Sequence, residues 1–180
     1  IPETPETRRI AALARTGRTT AISALTDIDA SPVIDRGRVF AIGHGGRMVA
    51  IELATGQRVW ERNFAGVSTP WVAGDFIYVV TLDAQLICLT RGEGKVRWVT
   101  QLPHYKDEKQ KTGAYRWSGP VLASDRLLVT GSNKTMVTVS PYTGELLSSV
   151  KLSAPAYLPP IVADNQVFVL TDDGKLTAFR

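Results

Sequence analysis

The sequence predicts an all-β chain of four-stranded antiparallel propeller blades, on three observations. Pro32, Pro70, Pro120 and Pro160 open similar runs at successive steps of 38, 50 and 40 residues, close to the period of four-stranded blades. Gly56, Gly94 and Gly144 each follow their proline by 24 residues, so the register inside the units is shared. Turn residues alternate with β-branched and aromatic runs throughout, and no segment carries a helical period.

The elements repeat in the same order. Val33-Ile34, Trp71-Val72, Val121-Leu122 and Ile161-Val162 read as short, buried inner strands, which assigns Trp71 to the core. Tight hairpins follow at Asp35-Arg36-Gly37, Ala73-Gly74-Asp75, Ala123-Ser124-Asp125 and Ala163-Asp164-Asn165, whose residues tolerate positive φ or bond their own backbone. The second strands, 39–42, 76–80, 127–130 and 167–170, are apolar on both faces, as a strand flanked by two neighbouring sheets must be. A second hairpin holds Gly45-Gly46, Asp83-Ala84, Asn133-Lys134 or Asp173-Gly174, and third strands follow at 48–53, 86–89, 136–139 and 176–179.

The turn into the outer strand is the most specific signal. In Ala50 to Trp60, Gly56 supplies a left-handed turn residue and Trp60, four residues on, covers the gap to the next blade. Gly94 and Trp98 repeat the form, while Gly144 is followed by Ser148 in place of tryptophan. This is similar to the tryptophan-docking repeat of the quinoprotein-like propellers. The expected organisation is a lead-in segment, 1–30, blades at 31–62, 69–100 and 119–150, an inserted loop at 103–116, and an incomplete blade at 159–180. All belong to one partial propeller. Rings close to remove sheet edges, so a missing N-terminal half or a second copy of the chain is expected to complete this one, with residues 20–25 a candidate outer strand.

Composition narrows the function. Hydrophobic residues make up 44% and charged residues 21%, enough to bury a core. The formal charge of +4 is scattered except around Lys106, Lys109 and Lys111, so no nucleic-acid stripe is indicated. Cys88 is the single cysteine and His44 and His104 are the two histidines, so no metal-ligand spacing exists and no nucleophile stands beside a base. No catalytic residue, metal or cofactor is expected. No apolar run reaches the roughly 20 residues that span a bilayer. The opening Ile1-Pro2-Glu3-Thr4 shows no initiator Met, secretory signal or lipobox cysteine, and the chain is expected to be a mature or truncated piece of a longer protein.

The stretch Leu25-Thr26-Asp27-Ile28-Asp29-Ala30-Ser31-Pro32-Val33, the Gly37-Arg38-Val39-Phe40-Ala41-Ile42 strand and the terminal Asp173-Gly174-Lys175-Leu176-Thr177-Ala178-Phe179-Arg180 resemble the BamB family. The resemblance covers about residues 22–180. It implies an eight-bladed, non-catalytic scaffold, tethered by a lipid outside this fragment to the periplasmic face of a Gram-negative outer membrane. It also implies binding to the POTRA domains of BamA, with unfolded outer-membrane proteins as further partners. In the family, paired aspartates contact BamA, and they match Asp27 and Asp29 here. Where better-known members carry arginine this chain has Ala24, and residues 103–116 are an insertion they lack.

Asp27 and Asp29 are two apart, so on an extended segment both carboxylates share one side; they serve either a partner or the capping of backbone N–H groups. The charged insertion reads as a solvated loop, with Tyr105, Lys106, Tyr115 and Arg116 as candidate contacts for a partner or anionic headgroups. Trp117 and His44 have no assigned role and read as lone surface residues. A fragment of a pyrroloquinoline-quinone dehydrogenase is the enzymatic alternative, since those propellers share the docking repeat, but they resemble one another in an adjacent cysteine pair that is absent here. A generic protein-binding propeller is the third reading.

Overall fold

The structure, a computed structural model, describes residues 29–180. Four antiparallel sheets follow one another in chain order. The first holds β1 (Val33–Asp35), β2 (Arg38–Gly43), β3 (Arg47–Glu52) and β4 (Arg58–Arg62). The second holds β5 (Trp71–Ala73), β6 (Phe76–Val80), β7 (Gln85–Thr90) and β8 (Val96–Gln101). After a small hairpin of β9 (Tyr105–Asp107) and β10 (Thr112–Ala114) comes the third sheet. It holds β11 (Trp117–Ala123), β12 (Arg126–Gly131), β13 (Thr135–Val139) and β14 (Leu146–Lys151). The last, β15 (Ile161–Ala163), β16 (Gln166–Leu170) and β17 (Leu176–Phe179), has three strands. Each sheet is an up-and-down meander, so the array is a partial β-propeller.

The turns explain the meander. Arg36 and Gly37, Ser124 and Asp125, and Asp164 and Asn165 all sit at positive φ, the backbone that two-residue hairpins between right-twisted strands require. Sheet-to-sheet packing follows from the period of two along the second strands. Ile77 and Val79 of β6 pack with Phe40, Ile42 and Trp60 of the first sheet. Their alternates Tyr78 and Val80 pack with Leu127, Val129 and Trp117 of the third. Leu128 and Met136 then face Val169 of the fourth sheet. Every seam between sheets is therefore a hydrophobic core.

A second device closes the first two seams. The Trp60 indole donates to the Arg91 carbonyl at 3.0 Å, and Arg38 and Arg62 donate to the carbonyls of Gly92 and Gly94 at 3.1 and 2.6 Å. The next turn is held in the same way: Trp98 and Tyr78 donate to the Pro141 carbonyl at 3.0 and 3.3 Å, and Thr100 to that of Gly144 at 2.5 Å. Gly94 and Gly144 are required there, because an added Cβ would lie 2.7 Å from the Trp60 ring and 2.8 Å from the Trp98 ring, at φ of +65° and +77°. At the third outer strand Ser148 instead bonds Thr138 through its hydroxyl at 2.7 Å.

Several expectations need correction. The inner strands are not uniformly buried: Ile34, Trp71 and Ile161 are exposed, and of the eight residues expected there only Val121 is buried. All four are edge strands paired on one side, and those of Ile34, Trp71 and Ile161 are only three residues long. Trp71 is thus not a core residue. Trp117 is the reverse case, buried in the second seam with its indole donating to the Pro103 carbonyl at 2.9 Å. The third inner strand starts at Trp117, four residues before Val121. The 103–116 insertion is exposed but contains a paired hairpin, Asp107 opposite Thr112 and Tyr105 opposite Ala114. Asp27 and residues 20–25 lie outside the described residues.

Candidate partner-binding site

Strand direction decides which residues meet. Inner strands all leave the same end of the array, and in a four-stranded meander the second-to-third hairpins and the sheet-to-sheet connectors return to that end. Asp29, the hairpins at His44 and Leu82, the connector at Val67 and the insertion therefore share one face, opposite the tryptophan-held turns.

Asp29, His44, Val67, Thr81, Leu82, Tyr115, Arg116 and Trp117 surround a cleft of about 300 Å³ on this face. Asp29 is exposed at its rim, placed by Ala30, which is buried in the first seam. The floor is fixed by backbone bonds: the Leu82 N–H donates to the Ala65 carbonyl at 2.9 Å, and the Gln85 N–H to the Thr81 hydroxyl at 3.2 Å. Arg116 stands on the opposite wall. Its N–H donates to the Ser132 hydroxyl and its carbonyl accepts from the Ser132 N–H, both at 2.9 Å, while its side chain is exposed.

The insertion is braced at its base and its tip. The Tyr115 N–H donates to the His104 carbonyl at 2.7 Å, and the His104 and Tyr105 rings stack 4.0 Å apart. Glu108 accepts from the N–H groups of His104 and Tyr105, and Asp107 from those of Lys109 and Gln110. Lys106, at the middle of β9, is exposed and does not line the cleft. Of the candidate residues, then, the fold brings Asp29, Tyr115 and Arg116 together and leaves Tyr105 and Lys106 on β9, outside the cleft lining. His44, Val67 and Leu82 carried no motif, and only the shared strand direction of the repeat could have placed them.

A second hollow of about 360 Å³ shares Val67 with the cleft and runs past Trp71, Pro120, Tyr157, Leu158 and Pro159. Trp71, Tyr157 and Leu158 are exposed in it. The face thus offers a mixed-charge cleft continuous with an apolar groove, an arrangement suited to holding polypeptide. Cys88 is buried in the second seam and does not line the cleft; burial pushes its thiol up to about 11. Among the described residues no three His, Cys, Asp or Glu side chains are grouped to hold a metal ion.

Comparison with known proteins bears on the reading. A family model described as outer membrane protein assembly factor BamB matches residues 2–100 and 106–180, and the break falls where the insertion leaves the second sheet. The chain is 29% identical over 161 residues to the outer membrane protein assembly factor BamB of Salmonella typhimurium, covering 88% of this chain and 38% of that protein. To the Escherichia coli K12 protein of the same name it is 27% identical over 159 residues, covering 87% and 38%. The chain spans well under half the length of these curated relatives. Among solved structures, BamB from Moraxella catarrhalis superposes with a TM-score of 0.71 at 16% identity, over 84% of this chain and 43% of that one. The computationally designed Ika4 protein superposes with a TM-score of 0.64 at 14% identity, over 85% and 90%. At those identities the two structures establish the fold.

Proposed function

The chain belongs to the outer membrane protein assembly factor BamB family, and from that premise we propose that it is part of a non-catalytic scaffold for the assembly of outer-membrane β-barrel proteins. In this reading the complete protein is an eight-bladed propeller at the periplasmic face of a Gram-negative outer membrane, and it binds the POTRA domains of BamA. Unfolded outer-membrane proteins are its further partners. The observation that carries the reading is the exposed Asp29 carboxylate on the rim of a cleft built from five separate segments. Rigid sheets hold the segments, so the surface is presented without the cost of ordering a loop at the moment of binding.

Binding then works without chemistry. Asp27 and Asp29 present carboxylates to basic groups of the partner, and the groove past Trp71 and Leu158 takes apolar side chains. The test is capture of purified POTRA domains by the full-length protein, with and without Asp27→Ala and Asp29→Ala. We expect binding by the wild type and its loss in the double variant, with equal thermal unfolding of both. A folded wild type that captures nothing refutes the proposal.

A further inference from the structure

The insertion is dispensable for the architecture. The other two sheet-to-sheet connections, 63–70 and 152–160, join their strands without a hairpin, so β9 and β10 are an addition to the repeat. Its charges are also unevenly used. Asp107 and Glu108 spend carboxylate oxygens on backbone N–H groups of the hairpin itself. Lys106, Lys109, Lys111 and Arg116 are all exposed, and none of their side chains forms an ion pair among the described residues. Arg116 is therefore presented in the cleft that Asp29 also lines, and three further cations stand on the hairpin that leads into it.

We propose that the β9–β10 hairpin is a basic docking finger that recognises an acidic segment of the polypeptide partner held at Asp29, and that Arg116 carries this recognition into the cleft. The inference rests on the proposed POTRA binding and adds to it a second, oppositely charged contact. A polypeptide suits the surface better than an anionic membrane does. The Asp29 carboxylate would repel headgroups at the same cleft, and the exposed residues of the hairpin include no large aliphatic side chain to enter a bilayer. A partner carrying both signs of charge satisfies both walls at once. Exposed charges of this kind steer association more than they hold the complex, so the signature is kinetic and salt-dependent.

The experiment measures association of the full-length protein with the purified POTRA domains of the same organism's BamA, at low and high salt. One variant reverses all four charges (K106E, K109E, K111E, R116E), and a second replaces residues 104–114 with a short Gly-Ser link. We expect the reversal to slow association at least about tenfold at low salt, with the gap closing at high salt. The link should slow it in the same direction by less. Each variant is first shown to melt with the wild type, and Arg116→Glu alone replaces any that does not. Wild-type binding with association unchanged in the variants overturns the inference and leaves the scaffold reading standing. Capture of phosphatidylglycerol vesicles that the charge reversal abolishes, with POTRA association unchanged, also overturns it and assigns the cations to headgroups. No POTRA binding by the wild type overturns both.

Discussion

At the turn end of the sheets, carbonyls of one blade are taken up by tryptophan, arginine, tyrosine and threonine side chains of its neighbour, as at Arg91, Gly94, Pro141 and Gly144. At the connector end, Asp29, His44 and Arg116 come from separate segments to line one cleft, and among the described residues the Asp29 and Arg116 side chains spend no bond on the fold. The same repeat thus separates its duties. Where polar groups meet partners within the chain they hold the blades in place, and where they do not they are available to something else.

The sharpest way to break this contrast is to spoil the turn end. Trp60→Ala removes a ring that is 7% exposed and sits against the Gly94 turn, and should cost about 3–5 kcal/mol. Gly144→Val puts a branched side chain at φ of +77° with its Cβ 2.8 Å from the Trp98 ring, adding a backbone penalty of about 1–2 kcal/mol to the clash. Urea unfolding of the full-length protein should show lower midpoints for both with the slope unchanged. Midpoints within error of the wild type would mean that the tryptophan seams are not what holds the blades.

A smaller effect comes from pH. Burial holds the Tyr78 phenol at about 12 against an ordinary 10.0, and the Cys88 thiol at about 11 against 9.0. For both groups the unfolded chain loses its proton first as pH rises, so the stabilisation is complete below the ordinary values. It is lost between pH 9.0 and about 11 for Cys88 and between 10.0 and about 12 for Tyr78. The neutral phenol is also the form that donates to Pro141. The urea midpoint should fall from pH 8 to 10.5, and Cys88→Ala should remove the early part of that fall. A flat profile in the wild type would contradict the assignment.

The fold was legible because its signals are local. Positive-φ residues in the hairpins, doubly apolar second strands and the Gly-to-Trp spacing each act within a few residues of their cause. Trp71 and Trp117 were misplaced for the opposite reason. Whether a tryptophan beside an inner strand is covered depends on the neighbouring sheet, and here the seam buries Trp117 and leaves Trp71 at the rim. The cleft was only half legible. Asp29 and Arg116 were both singled out, but their meeting follows from strand direction summed over three sheets, and the hairpin pairing of Asp107 with Thr112 follows from no alternation in that charged stretch.

The smallest expected effect sharpens the contrast most. Asp29→Ala and Arg116→Ala remove exposed side chains that make no bond within the described residues, so each should change unfolding free energy by no more than about 0.5 kcal/mol. Removal of Asp29 should nonetheless weaken POTRA capture, and the ratio of binding loss to stability loss should be the reverse of that for Trp60→Ala. Parallel urea unfolding and binding measurements on the three variants decide it. If Asp29→Ala proves as destabilising as the tryptophan substitution, the carboxylate belongs to the framework, and the connector face is built by the same rule as the turn face.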